Sequence, residues 1–223
     1  MAIKNRGREG VRRRDVLALA EGLIGAVSLG ACFSATPSHA APIAFTEAQC
    51  GDKSLTGRKI LVAYASKYGS TGGVADAIGQ TLCGKGATVD VRLMKNVRNL
   101  DAYQGVVLGA PVYMGKWLPE AADFVKQNAE ALGRVPLACF VVCMLLREPT
   151  PENMAKALAY LDPVLKAAPA LTPVGVGAFA GALDYGKLSW AMKKVMQSMG
   201  QPEGDFRDWK AIHAWAEAST LVR

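Results

Sequence analysis

Residues 59–78, KILVAYASKYGSTGGVADAI, decide how this chain folds. An apolar run from Ile60 to Ala65 reads as a β-strand and stops at a turn rich in hydroxyls and glycine. Beyond Thr71, Val74, Ile78 and Leu82 recur at helical spacing, so a helix follows directly. A strand–loop–helix junction gathers backbone N–H groups and the positive end of a helix dipole at one point, which suits a phosphate. Ser66, Ser70 and Thr71 add hydroxyl donors beside Lys67 and Tyr68, and Gly69 lets the backbone curl tightly. Neither a P-loop GK(S/T) nor a GxGxxG pattern is present. A βα turn of small residues with no ligand is the alternative reading of the same stretch.

Working outward, strands and helices alternate. Thr88 to Leu93 reads as a second strand, Gly105 to Ala110 as a third, Leu137 to Leu145 as a fourth and Thr172 to Gly177 as a fifth. The first helix is expected over 71–83 and the next over 119–132, where Pro119 suits the first turn. Another is expected over 151–166 behind Thr150 as cap, and two closing helices over 187–199 and 208–220. Five strands alternating with helices predict an α/β fold, one parallel sheet covered on both faces. Ligands in such sheets sit beyond the carboxyl ends of the strands, which singles out the loops after strands one, three, four and five.

The N-terminal region has a different composition. Lys4, Arg6, Arg8, Arg12, Arg13 and Arg14 precede a modestly apolar stretch and a small-residue tail ending at Ala40. This is the pattern of a signal peptide over 1–40, and Arg12-Arg13-Arg14-Asp15-Val16-Leu17 resembles a twin-arginine leader. Ser38-His39-Ala40 has the form of an ordinary cleavage site, while Leu29-Gly30-Ala31-Cys32 resembles a lipobox that would lipidate Cys32. Residues 41–58 read as a linker before a domain over 59–220. The expectation is an exported protein, periplasmic or attached to the outer membrane face. Removing the leader lowers the net charge from +7 to +4, with 20 basic and 16 acidic residues remaining. A mildly basic surface favours an acidic partner or an anionic membrane over nucleic acid, for which no reading motif is present.

No Cys/His cluster has metal-ligand spacing. Cys139 and Cys143 lie four residues apart in an apolar strand, too far apart to bond, and read as buried thiols. Cys50 precedes the first strand and Cys83 ends the first helix. Both fall at one end of the sheet, so an oxidising compartment would allow a disulfide between them.

The loop after strand three carries Pro111, Val112, Tyr113, Met114, Gly115 and Trp117. Cys143 and Met144 follow strand four, and Gly181, Ala182 and Tyr185 follow strand five. A hydroxyl-rich phosphate loop beside aromatic, methionine and backbone cover is the combination that flavin mononucleotide (FMN) needs. Trp117 packed under the following helix and Tyr113 on the surface are the alternatives for those two residues. No acid/base dyad, Ser/His/Asp set or partnered nucleophile stands out, so no catalytic residue is assigned. That silence fits a protein whose cofactor carries the chemistry.

SKYGST, GAPVYMGKW, CFVVCMLLREP, AGALDYGKLSW and the tail KKVMQSMGQPEGDFRDWKAIHAWA together resemble the flavodoxin-fold family. Within it they are most similar to flavodoxin-type, menaquinone-linked protoporphyrinogen oxidases, over nearly all of 59–217. The resemblance implies a three-layer fold with a five-stranded parallel sheet in the order 2-1-3-4-5, and non-covalent FMN. It implies phosphate at Ser66 to Thr71, the ring flanked by Val112 to Trp117, and Ala180 to Tyr185 completing the site. It further implies electron transfer with a quinone or redox-protein partner. Tyr113-Met114-Gly115-Lys116-Trp117 departs from the family's Arg-Tyr-Gly-x-Tyr run, and the stretch from Gly200 to Trp209 is shorter. With the leader, these departures imply a substrate other than porphyrinogen. A non-catalytic binding module or flavin carrier on the same fold is the alternative.

Overall fold

The computed structural model describes residues 42–51 and 57–222. The leader, Cys32 and both cleavage sites lie outside these residues. Among the described residues, nine strands and six α-helices follow one another as β1 (Ala48–Cys50), β2 (Lys59–Tyr64), α1 (Ser70–Gly84), β3 (Thr88–Leu93), β4 (Gly105–Tyr113), β5 (Lys116–Trp117) and α2 (Pro119–Leu132). The described chain continues with β6 (Leu137–Val142), α3 (Pro151–Ala159), α4 (Asp162–Ala167), β7 (Gly175–Phe179), β8 (Ala182–Leu183), α5 (Trp190–Ser198), β9 (Gly204–Asp205) and α6 (Trp209–Ala218).

The parallel strands lie in the order β3-β2-β4-β6-β7, which is the expected 2-1-3-4-5 arrangement. Two antiparallel additions extend it. Within the stretch read as a linker, β1 pairs with β3, Ala48 opposite Val91 and Cys50 opposite Val89. Past the expected end of strand three, β4 runs on to Tyr113 because Val112 and Tyr113 pair with Trp117 and Lys116 of β5.

Strand alternation sorts the core into two layers, and β2 is apolar and buried from Ile60 to Tyr64 because both its faces are covered. Leu61, Ala63, Val106 and Leu108 face the α2–α4 side with Phe124, Val125 and Leu161. Ile60, Val62, Tyr64 and Val107 face the α1 and α6 side with Val74, Ile78, Leu82 and Ile212. A Cβ at Gly109 would collide with the Phe140 ring, which covers that glycine from the paired residue on β6. Phe140, Phe179 and Trp215 form an aromatic cluster with centroids 5.8–6.5 Å apart, in which Trp215 meets both phenylalanines edge-on and fixes α6 against the sheet.

Elsewhere the boundaries differ from expectation for local reasons. The helix expected over 151–166 is two helices, because Pro163 cannot continue α3 and instead lies in the first turn of α4. The fourth strand stops at Val142, and Met144–Arg147 forms a 3₁₀ turn. The fifth begins later and reaches Phe179, in register with β6. Cys50, Cys83, Cys139 and Cys143 are free thiols.

Candidate functional site

The carboxyl end of β2 delivers the loop 65–69 to the amino end of α1. Ala65 N–H donates to the Gly109 carbonyl of the neighbouring strand at 2.9 Å, which fixes the loop's origin. Gly69 N–H donates to Ser66 Oγ at 2.9 Å, and Gly69 itself takes φ +90°, a left-handed conformation that favours glycine. The chain therefore turns sharply before the helix begins. The first turn of α1 has neither a side-chain cap nor an acidic residue. Thr71 in that turn is fully buried, and its Oγ1 has no hydrogen-bond partner. A buried hydroxyl without a partner costs free energy, about 1–3 kcal/mol, and points to a group that would satisfy it.

The cavity in front of this turn is lined by Ser66, Lys67, Tyr68, Ser70 and Thr71 on one side. Pro111, Val112 and Tyr113 of β4, with Val142 and Met144, form the floor, while Gly181, Ala182, Leu183 and Asp184 form a third wall. Leu188 and the half-buried Met192 and Met196, one turn apart on α5, close it from above. Tyr68 and Tyr113 both line the slot. Burial first, and Tyr113 second, raise the Tyr68 phenol above its usual range. Lys67 Nζ lies 5.5 Å from the Tyr113 ring centroid. The space is roughly 140 Å³ and partly open to solvent.

Of the residues singled out from sequence, Gly69 shapes the turn without lining the cavity, and five others are placed away from it. Trp117 is 2 % exposed and its Nε1 donates to the Ala110 carbonyl at 3.1 Å, so it is core under α2 rather than ring cover. The cause is the β4–β5 hairpin. Met114 and Gly115 take φ of +48° and +73°, which reverses the chain and sends Trp117 inward while Met114 protrudes, 84 % exposed. Cys143 is buried in the α2–α4 core layer. The Tyr185 hydroxyl donates to the Gln201 carbonyl, and the ring lies under Lys193, outside the cavity.

Sequence reading missed Val142, Leu188, Met192 and Met196, while Leu183 fell within the stretch from Ala180 to Tyr185. The two methionines share one helical face, and that i, i+4 spacing was the available signal. It also missed Arg207. This guanidinium is held by Asp205, Nε to Oδ1 at 2.8 Å and Nη2 to Oδ2 at 2.6 Å, and stacks 4.4 Å from the Trp209 centroid. Its Nη1 reaches the Ser70 carbonyl at 3.4 Å. Because β9 pairs with β8 and Phe206 N–H donates to the Gly181 carbonyl at 3.1 Å, the same segment sets the third wall. Among the described residues no group of His, Cys, Asp and Glu is placed to hold a metal ion.

An uncapped helix end with buried and half-buried hydroxyls opens on an apolar slot at the carboxyl ends of parallel strands of a doubly wound fold. The comparisons agree with the fold. A family model described as a flavodoxin domain matches residues 61–210, and the chain belongs to that family. It is 25 % identical over 173 residues to the protoporphyrinogen IX dehydrogenase (quinone) of Escherichia coli strain K12, covering 74 % of this chain and 93 % of that one. It is 27 % identical over 170 residues to the Leishmania major protein of the same description, covering 71 % and 73 %. Among solved structures, a Fusobacterium nucleatum flavodoxin bound to flavin mononucleotide aligns over 71 % of this chain and 95 % of that one. Its TM-score is 0.43 at 15 % identity.

Proposed function

We propose that the chain is an FMN-binding oxidoreductase that passes one or two electrons between a reduced donor and a quinone or redox protein. The observation that carries the cofactor reading is the buried, unpartnered Thr71 hydroxyl at a helix end free of acid. Ser66, Ser70, Thr71 and the loop N–H groups would hold the phosphate. Val112, Tyr113, Met144, Gly181 and Ala182 would flank the ring, with Met192 and Met196 over it. Flavin supplies the redox chemistry when bound. The protein's own groups orient it, exclude water and set the local charge. Lys67 beside Tyr113 favours added negative charge at that end of the slot.

Quinone as the acceptor class is supported by the description of both relatives. The Met114–Lys116 turn and the short 200–209 stretch support a substrate other than porphyrinogen. The leader supports export, and a twin-arginine route suits a protein that must fold around its cofactor before leaving the cytoplasm. An anionic membrane surface is supported by composition around the cleft. Of seven exposed large apolar side chains among the described residues, Met114, Trp190, Val195 and Met199 lie on the hairpin tip or on α5 and its end. Segments 66–68, 112–118 and 184–203 hold five lysines against Asp184 and Glu203.

Purification from the native compartment tests the central reading. Flavin absorbance, or stoichiometric FMN uptake followed by turnover with quinones, is the expected result. A colourless folded protein that takes up no FMN overturns it, and uptake without turnover would make the protein a carrier. Replacing Arg12 and Arg13 by lysine is expected to abolish export. Vesicles with and without phosphatidylglycerol test the membrane surface, with binding expected only to the former.

A further inference from the structure

The N-terminal arm touches the candidate site at one end and a pair of cysteines at the other. At its start, a Cβ on Gly69 would lie 3.1 Å from the Ala44 carbonyl oxygen and 3.3 Å from Ile43 Cγ2, so the arm presses on the phosphate loop. The Thr46 carbonyl then accepts the Tyr64 hydroxyl at 2.8 Å. That same hydroxyl sits 2.9 Å from where a Cβ on Gly72 would stand, in the first turn of α1. Glu47 accepts the Leu93 N–H at 3.0 Å and the Asn96 amide at 3.1 Å, and β1 follows along the sheet edge.

Cys50 ends this arm. Its Sγ lies 3.8 Å from the Gly79 carbonyl oxygen, one helical turn before Cys83. Both thiols are half-buried and pack against the same core layer. Burial first, and the neighbouring Cys83 thiol second, push the Cys50 thiol up to about 12. Cys139 and Cys143 offer no rival pair, since four residues along an extended chain separate them by about 13 Å.

We propose that Cys50 and Cys83 close into a disulfide under oxidising conditions, and that the bond clamps the arm as a brace on the phosphate loop. With oxidised glutathione as the oxidant, one cysteine thiolate attacks the external disulfide, forms a mixed disulfide and releases one glutathione thiolate. The second cysteine thiolate then displaces the other glutathione. Two cysteine thiols lose two protons and two electrons, and one external disulfide becomes two thiols. The clamp holds in place a segment that would otherwise be ordered again each time the cofactor is bound. The cofactor half of this inference rests on the flavin reading above, whereas the sulfur half does not.

The full chain, with its five cysteines, is incubated with oxidised glutathione or with dithiothreitol. Thiols are then counted in denaturant, peptides are mapped without reduction, and FMN release is timed by fluorescence recovery. Oxidation is expected to remove two thiols, link the Cys50 and Cys83 peptides, and slow release roughly three- to tenfold. Cys50→Ser and Cys83→Ser should each abolish the difference between the two treatments. No thiol loss, or any other pairing, overturns the disulfide. A Cys50–Cys83 link with equal release rates overturns the brace. A chain that takes up no FMN in either state sinks the flavin reading, while the thiol count and peptide map still decide the disulfide.

Discussion

The two ends of the cleft are built in different ways. At the phosphate end, every contributing group comes from the single stretch 66–71, and Thr71 is wholly enclosed. At the ring end, β4, the turn after β6, the loop from Gly181 and the helix α5 each contribute part of the lining. No residue of α5 is fully buried. A turn held by the Ser66 hydroxyl, the Gly109 carbonyl and the arm at Ile43 and Ala44 keeps one geometry. A slot assembled from four segments holds its geometry only as well as each is packed. The first end therefore selects for a dianion strictly, and the second adapts to what lies in it.

The sharpest way to break this contrast is Ser70→Glu, which places a negative charge where the phosphate would lie. It is expected to cut FMN affinity about 100-fold, roughly 2.7 kcal/mol, with circular dichroism unchanged. Affinity within threefold of wild type in a fluorescence titration would put the phosphate elsewhere. Thr71→Val is subtler, because it removes the orphan hydroxyl at constant shape. FMN affinity should fall about tenfold while the flavin-free protein gains about 1 kcal/mol of stability. Thermal melts with and without FMN check both signs, and a destabilised flavin-free variant would show that the hydroxyl already has a partner. At the ring end, Met192→Ala and Met196→Ala should each weaken FMN only about threefold, since partly buried thioethers contribute little apiece.

A control at the opposite end of the sheet should leave flavin affinity untouched. Asp90 is buried and accepts the Tyr103 hydroxyl at 2.7 Å and the Lys59 ammonium at 3.3 Å. Burial opposes its ionisation, yet these two partners hold its carboxyl below the ordinary value of 3.8. Its contribution is thus fully present above that value and is lost as pH falls through the lower folded-state value. Urea unfolding should show wild type losing this increment in acid, while Asp90→Asn is less stable at pH 7 by about 1–3 kcal/mol and flatter below pH 4. A parallel acid response in the two proteins would remove Asp90 from the account.

The same contrast explains what could be read from the chain. The strand order was implied only by the family resemblance, whereas the existence of the parallel strands and the position of α1 follow from hydrophobic period and turn chemistry, both local. Ser66 to Thr71 was legible for that reason. Trp117 was not, because its direction is set by the left-handed pair Met114 and Gly115, and methionine gives no hint of such a backbone. Met192 and Met196 face the cleft only because α5 lies across it, and Arg207 matters only because β9 pairs with β8. The arm's strand was hidden for another reason: three residues, Ala48 to Cys50, carry too short a pattern to register as a period.

The two borders of the sheet are finished unequally. One is closed by β1, while β7 ends the ladder at the other, where Val174 and Val176 are 53 % and 38 % exposed. Unpaired main-chain groups beside β-branched side chains form a template on which another copy can stack. Concentrated preparations should therefore self-associate through β7 first, and Val176→Lys should raise the concentration at which they turn cloudy.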